Sequence, residues 1–220
     1  MNKMKKTILL FFLIACAATL NAQDAKSVFI NIPDSLCPLL TKVNREDFAD
    51  FLESKMKAQV KNKLENMSEM KALTKDYASL QTTSESNFQM KLLQLNDTTK
   101  IICAINTACG PACDSRISFY NAQWKELSLK DYIVLPDLDD FFIAPDSSKI
   151  EEYNNARALL DFYSFKADLS KDNSELVITL TSSESLDADS AKTLDLYLKK
   201  NLVYIWKDGK FVLKQNTAQL

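Results

Sequence analysis

Apolar residues recur along this chain with two periods, and the changes between them mark its elements. Phe48, Phe51, Leu52 and Met56 follow the three-and-four spacing of one helical face. A helix is therefore expected from Asn44, which suits a cap, with Asp47 placed where a carboxylate favours the positive helix start and Lys55 and Lys57 at the negative end. Before it, Ser27 to Ile32 reads as a short extended segment, and Pro33-Asp34 opens a helical turn over Ser35 to Thr41. From residue 58 to 120 the period falls to two. Val60, Asn62 and Leu64 begin it, Tyr77 to Gln81 continue it, Phe88, Met90 and Leu92 alternate with Gln89 and Lys91, and Lys100 to Ala108 follow the Asn96-Asp97 turn. Turns this short join only antiparallel neighbours, so the pattern predicts a meander.

Tyr132 to Asp146, with Pro136, Pro145 and a run of aspartates, has no period and reads as a hinge or lobe boundary. Helical spacing returns in Glu151 to Tyr163 and in Asp189 to Lys200, on either side of two strands, Phe165 to Leu169 and Leu176 to Leu180. Val203 to Trp206 and Phe211 to Lys214 flank Asp208-Gly209, a dipeptide that suits a two-residue turn with positive φ at both positions. That register sets Trp206 opposite Phe211 and Tyr204 opposite Leu213. The expected fold class is α+β, a largely antiparallel β-sheet (meander) with packed amphipathic helices.

Residues 1–22 do not belong to this pattern. Lys3, Lys5 and Lys6 precede an apolar run from Thr7 to Leu20, and Ala22 offers a small residue for cleavage, so the segment reads as a signal peptide. An alternative lies inside it: Leu13-Ile14-Ala15-Cys16 fits the pattern at which a lipoprotein is cut and Cys16 lipidated, although Ala17, Ala18 and Leu20 carry the apolar run past that point. The expected product is residues 23–220 as a single α+β domain, periplasmic or secreted. Two lobes meeting near 132–150, and a lipoprotein anchored to a membrane through Cys16, are the alternatives. No other stretch approaches the roughly 20 apolar residues of a membrane-spanning helix.

Composition removes several functions. The chain has 27 Lys+Arg and 29 Asp+Glu, and loss of the three leader lysines gives 24 − 29 = −5, without the concentrated positive charge that nucleic acid requires. Histidine is absent, which excludes His-based triads and the usual His-containing zinc and copper sites. The two glycines make no phosphate-binding loop. No catalytic residue, cofactor or metal is expected.

Four cysteines follow the leader: Cys37, Cys103, Cys109 and Cys113. Cys109-Gly110-Pro111-Ala112-Cys113 is similar to the Cys-Gly-Pro-Cys site of thioredoxins with one residue inserted. Such a site needs its first cysteine at a helix start, whereas alternating residues on both sides here predict a hairpin. In that hairpin Cys109 faces Cys113, Ile105 faces Ile117 and Cys103 faces Phe119. Opposed strand residues lie about 4.5–5.5 Å apart at Cα, inside the disulfide range. A structural disulfide is expected, with two unpaired thiols or a redox site as the alternatives. Cys103 shares an inward face with Ile101 and Ile105; Cys37 pairs with it or stays free. Asp137, Asp139 and Asp140 form an acidic loop without the glycine and terminal glutamate of a calcium-binding loop, and Phe141 and Phe142 beside them are a binding lip if exposed and an anchor if buried.

The chain resembles an uncharacterised family of exported proteins from Bacteroidales bacteria, known only as a domain of unknown function. Residues 27–35 (SVFINIPDS), 39–45 (LLTKVNR), 47–57 (DFADFLESKMK), 73–77 (LTKDY), the Cys109 to Asp114 hairpin and 204–211 (YIWKDGKF) carry the resemblance. It implies an exported protein and supplies no activity, cofactor or site residue. The function expected is a non-enzymatic envelope protein that binds another protein or a small ligand. A thiol–disulfide oxidoreductase using Cys109 and Cys113, and a lipid-anchored envelope component, are the alternatives.

Overall fold

A computed structural model describes residues 24–199 and 201–214. Both the leader and Cys16 lie outside the described residues.

Residues 25–30 form a helix, α1 (Ala25–Ile30), where alternation predicted an extended segment. The reason is local: the Asp24 carboxylate accepts the Ser27 amide at 2.8 Å and caps the turn, and Ala25, Val28 and Phe29 are buried at helical spacing. In α2 (Lys42–Glu53) the cap is Thr41 rather than Asn44. Asn44 works from inside: its amide donates to Thr41 Oγ1 at 3.1 Å, and its side-chain oxygen accepts the Thr41 amide at 3.0 Å, a reciprocal box.

Seven strands then run in sequence order as one open antiparallel sheet: β1 (Gln59–Lys61), β2 (Met67–Leu73), β3 (Tyr77–Thr83), β4 (Ser86–Gln94), β5 (Lys100–Cys109), β6 (Cys113–Tyr120) and β7 (Glu126–Leu127). β2 is hard to read from its sequence because the buried Ser68 breaks the apolar face and the register shifts between Met70 and Ala72. A second antiparallel sheet holds β8 (Phe165–Leu169), β9 (Glu175–Leu180), β10 (Leu202–Lys207) and β11 (Lys210–Leu213), in the order β11-β10-β9-β8. Trp206 pairs with Phe211 and Tyr204 with Leu213 as the turn residues predicted, with φ of 51° at Asp208 and 79° at Gly209. The fold is α+β with open antiparallel sheets.

Both helices of the second half are shorter than their periodicity suggests. α3 (Ile150–Arg157) stops early, and the freed chain lets Tyr163 donate its hydroxyl to the Pro136 carbonyl at 2.8 Å before β8 begins. α4 (Ala188–Asp195) starts on its Asp187 cap and ends where Leu198 bridges to Phe142. Among the described residues no helix is long and apolar enough to cross a membrane.

The elements stack in three layers with the large sheet in the middle. On one face Phe29, Leu40 and Phe48 pack on Leu80, Phe88, Met90, Ile102 and Ala104. On the other, Ile101, Cys103, Ile105 and Phe119 meet Ala167, Leu176, Ile178, Tyr204 and Phe211 of the small sheet. β5 is therefore buried on both sides from Ile101 to Ile105. Lys91, 1% exposed, is fixed between the sheets by the carbonyls of Ser170 at 3.0 Å and Lys171 at 3.4 Å and by the Asp76 carboxylate at 3.3 Å. Each proton of its ammonium thereby has an acceptor, which is what makes a buried lysine tolerable.

Candidate functional site

The helices cover only part of the large sheet. Along β5 the residues facing them run Ile102, Ala104, Asn106, Ala108; the first two are buried, and Asn106 and Ala108 are exposed. Register carries the floor sideways in two rows: the buried Phe88 with Asn106 and Arg116 in one, Ser86, Ala108 and Asp114 in the other. The loop Leu36-Cys37-Pro38-Leu39 overhangs this floor, and the space between is a groove of about 390 Å³ that Thr82 also lines. Its lining surface is largely apolar, and of the polar residues along it Asn106, Asp114 and Arg116 are the exposed ones, a mixture typical of a small-ligand site.

The overhang is held from beneath. Arg45, 2% exposed, rises from α2 and donates to the Ile30 carbonyl at 3.1 Å, the Leu40 carbonyl at 2.8 Å and Asp34 Oδ1 at 3.1 Å. Ile30 and Asp34 precede residues 36–39 and Leu40 follows them, so one planar guanidinium holds both ends of the loop. The Lys63 amide adds a bond to the Leu39 carbonyl at 3.0 Å. Asn62 braces the neighbouring floor by donating to Ser68 Oγ and to the Thr82 carbonyl, each at 3.0 Å.

A second groove, about 440 Å³, runs between β11 and residues 133–135. Val134, Val212 and Leu213 stand exposed along it. Coil forms one side of it, whereas the first groove is floored by four paired strands. The first is the better-built site.

The loop candidates are placed differently. Asp137 Oδ1 accepts the amides of Asp139 at 2.9 Å and Asp140 at 3.2 Å, Asp140 Oδ2 accepts the Asp137 amide at 2.9 Å, and Asp139 pairs with Arg157. These carboxylates stabilise their own turn. Among the described residues no cluster of His, Cys, Asp or Glu is arranged to hold a metal ion. Phe141 and Phe142 are both buried, the latter edge-on to Tyr153 with ring centroids 5.6 Å apart, so they anchor the loop and form no lip.

Cys109 and Cys113 face each other at the tip of the β5–β6 hairpin with sulfurs 2.10 Å and Cα atoms 3.9 Å apart. The Cys109 amide donates away from its partner strand, to the Glu85 carbonyl at 2.8 Å, so the two occupy the closer, non-hydrogen-bonded kind of cross-strand position. Neither sits at a helix start. Cys37 and Cys103 are free and lie in cores on opposite faces of the large sheet, which prevents their pairing. Burial pushes both thiols up from their ordinary value, which keeps them protonated and poorly nucleophilic at neutral and mildly alkaline pH. Iodoacetamide applied to the native protein at pH 8 is expected to label none of the four. After denaturation without reductant it should add two labels, at Cys37 and Cys103, and with reductant four, as read by intact mass. Labelling of Cys109 or Cys113 without reductant would show that pair to be unlinked.

Neither groove residue row was singled out by periodicity. The signal was present in the hairpin register, which puts Asn106 opposite Arg116 and Ala108 opposite Asp114 on an otherwise apolar face; the covering loop left none.

Comparisons with known proteins supply relatives without an activity. A family model described as a protein of unknown function, DUF3256, matches residues 17–211. No curated protein matches the sequence. Among solved structures, a domain of an uncharacterized protein from Porphyromonas gingivalis W83 is similar, with a TM-score of 0.76 and 25% identity over 87% of this chain and 98% of that one.

Proposed function

Since the chain belongs to the DUF3256 family, which has no assigned activity, we propose from its own geometry that it is a non-enzymatic binding protein whose groove under residues 36–39 takes a small, mainly apolar ligand. The observation that carries this is the uncovered end of β5, a strand buried on both sides from Ile101 to Ile105, roofed by a loop that a buried arginine holds in place. A roof fixed by side-chain bonds to three acceptors keeps the groove open without a ligand, so little ordering cost is left for binding.

Filling the floor tests it. Ala108 is exposed on a strand, so Ala108→Trp should leave stability within about 0.5 kcal/mol of the wild type. The same change should abolish the fluorescence enhancement of anilinonaphthalene sulfonate bound in the groove. Equal enhancement in both proteins contradicts the reading.

The family resemblance and the leader support an exported protein, cleaved after Ala22 and free in the periplasm or medium, with the Cys109–Cys113 pair as a staple of the hairpin. Lipidation at Cys16 is the competing form. Intact mass of the protein recovered from an exporting cell separates them: the account expects a start at Gln23, and a diacylated start at Cys16 would place the protein on a membrane surface.

A further inference from the structure

The groove's two charged residues lie together. Asp114 and Arg116 are both exposed and lie on the same face of β6, two residues apart, opposite Ala108 and Asn106. Two residues of strand span about 7 Å. The Arg116 guanidinium has one ionic neighbour among the described residues, Glu126 at 3.8 Å, and both members of that loose pair are more than half exposed. Such a pair contributes little and gives way readily. The groove therefore presents one negative and one positive side chain, rooted about 7 Å apart on one strand, beside an apolar slot, with the carboxamide of Asn106, a donor and an acceptor together, next to them.

A simple fatty acid would satisfy Arg116 and set its carboxylate near Asp114; an apolar amine would do the reverse. A zwitterion satisfies both. The spacing selects its length: a free amino acid separates its charges by less than one residue, whereas an extended dipeptide holds them at most two residues apart, about 7 Å. Resting on the reading of the groove given above, we infer that its ligand is a short peptide with free termini and apolar side chains, a dipeptide in the simplest case. Its ammonium lies at Asp114, its carboxylate at Arg116, and its side chains lie against Phe88, Ala108 and the underside of Leu36 and Leu39.

The experiment is a titration of the isotope-labelled protein with Leu-Leu, followed by its N-acetyl form, its C-terminal amide, and decanoate, each monitored at the amides of Leu39, Asn106 and Ala108. Leu-Leu should shift these signals, and capping either end should weaken binding at least tenfold. Asp114→Asn should remove the sensitivity to N-acetylation alone, and Arg116→Gln the sensitivity to amidation alone, because each variant deletes one charge contact at an exposed site without disturbing the fold. Capped peptides that bind as well as Leu-Leu overturn the inference. Decanoate shifting the same signals while Leu-Leu does not also overturns it, and leaves the groove standing as an apolar site. If no probe reaches these residues, both readings fall.

Discussion

Replacing Phe119 by alanine should lower the unfolding free energy by about 4 kcal/mol, a large share of the total for a domain of this size. Phe119 is fully buried on the central sheet, where its ring centroid lies 4.9 Å from that of Tyr132 and 6.3 Å from those of Trp206 and Phe211. It is thus a shared contact for the large sheet, the segment after β7 and the β10–β11 hairpin. Alanine removes the ring and leaves a cavity that three aromatic neighbours on separate elements cannot jointly close. Phe119→Leu, which keeps most of the volume, should lose less than half as much. Urea unfolding curves check both. A Phe119→Ala loss below about 1.5 kcal/mol would mean that the two sheets are held mainly elsewhere.

Arg45→Ala should cost about 3 kcal/mol and, unlike Phe119→Ala, should also disable the groove in the protein that remains folded. The cost arises from the carbonyls of Ile30 and Leu40, which lose a charge-assisted donor in a place water reaches poorly. Asp34 contributes little to it, since its side chain is 67% exposed and regains water. Arg45→Lys should fall between, because one ammonium on a flexible stem cannot reach all three acceptors in the geometry of the planar fork. The measurements are the urea midpoint and the fluorescence of anilinonaphthalene sulfonate without denaturant. Lost stability with unchanged probe binding would show that the loop keeps its path without Arg45.

Much of this arrangement was legible in the amino-acid order, and the particular residues say why. Cys109 facing Cys113 and Trp206 facing Phe211 follow from turns of fixed length, which leave register no freedom. Helix α1 does not show in the pattern because its signal, Asp24 and Ala25, precedes the apolar run. β2 does not show because a buried serine and a bulge erase its period. Phe141 and Phe142 required the tertiary structure, since a pair of aromatics in a polar loop reads alike whether it anchors or protrudes. The groove depends on two segments far apart in sequence, the Pro33–Leu40 loop and the ends of β4 to β6. Arg45, which joins their fates, reads in sequence as one more charge on a helix.

On the function proposed above, ligands enter the groove between residues 36–39 and the end of the large sheet. Its most direct test maps, on the labelled protein, where a panel of small apolar compounds perturbs backbone amide signals. The expected result is a cluster at Leu39, Phe88, Asn106, Ala108 and Arg116 that vanishes in Ala108→Trp. Shifts gathered instead at Ile133, Val134 and Val212 would move the site to the groove beside β11 and contradict it.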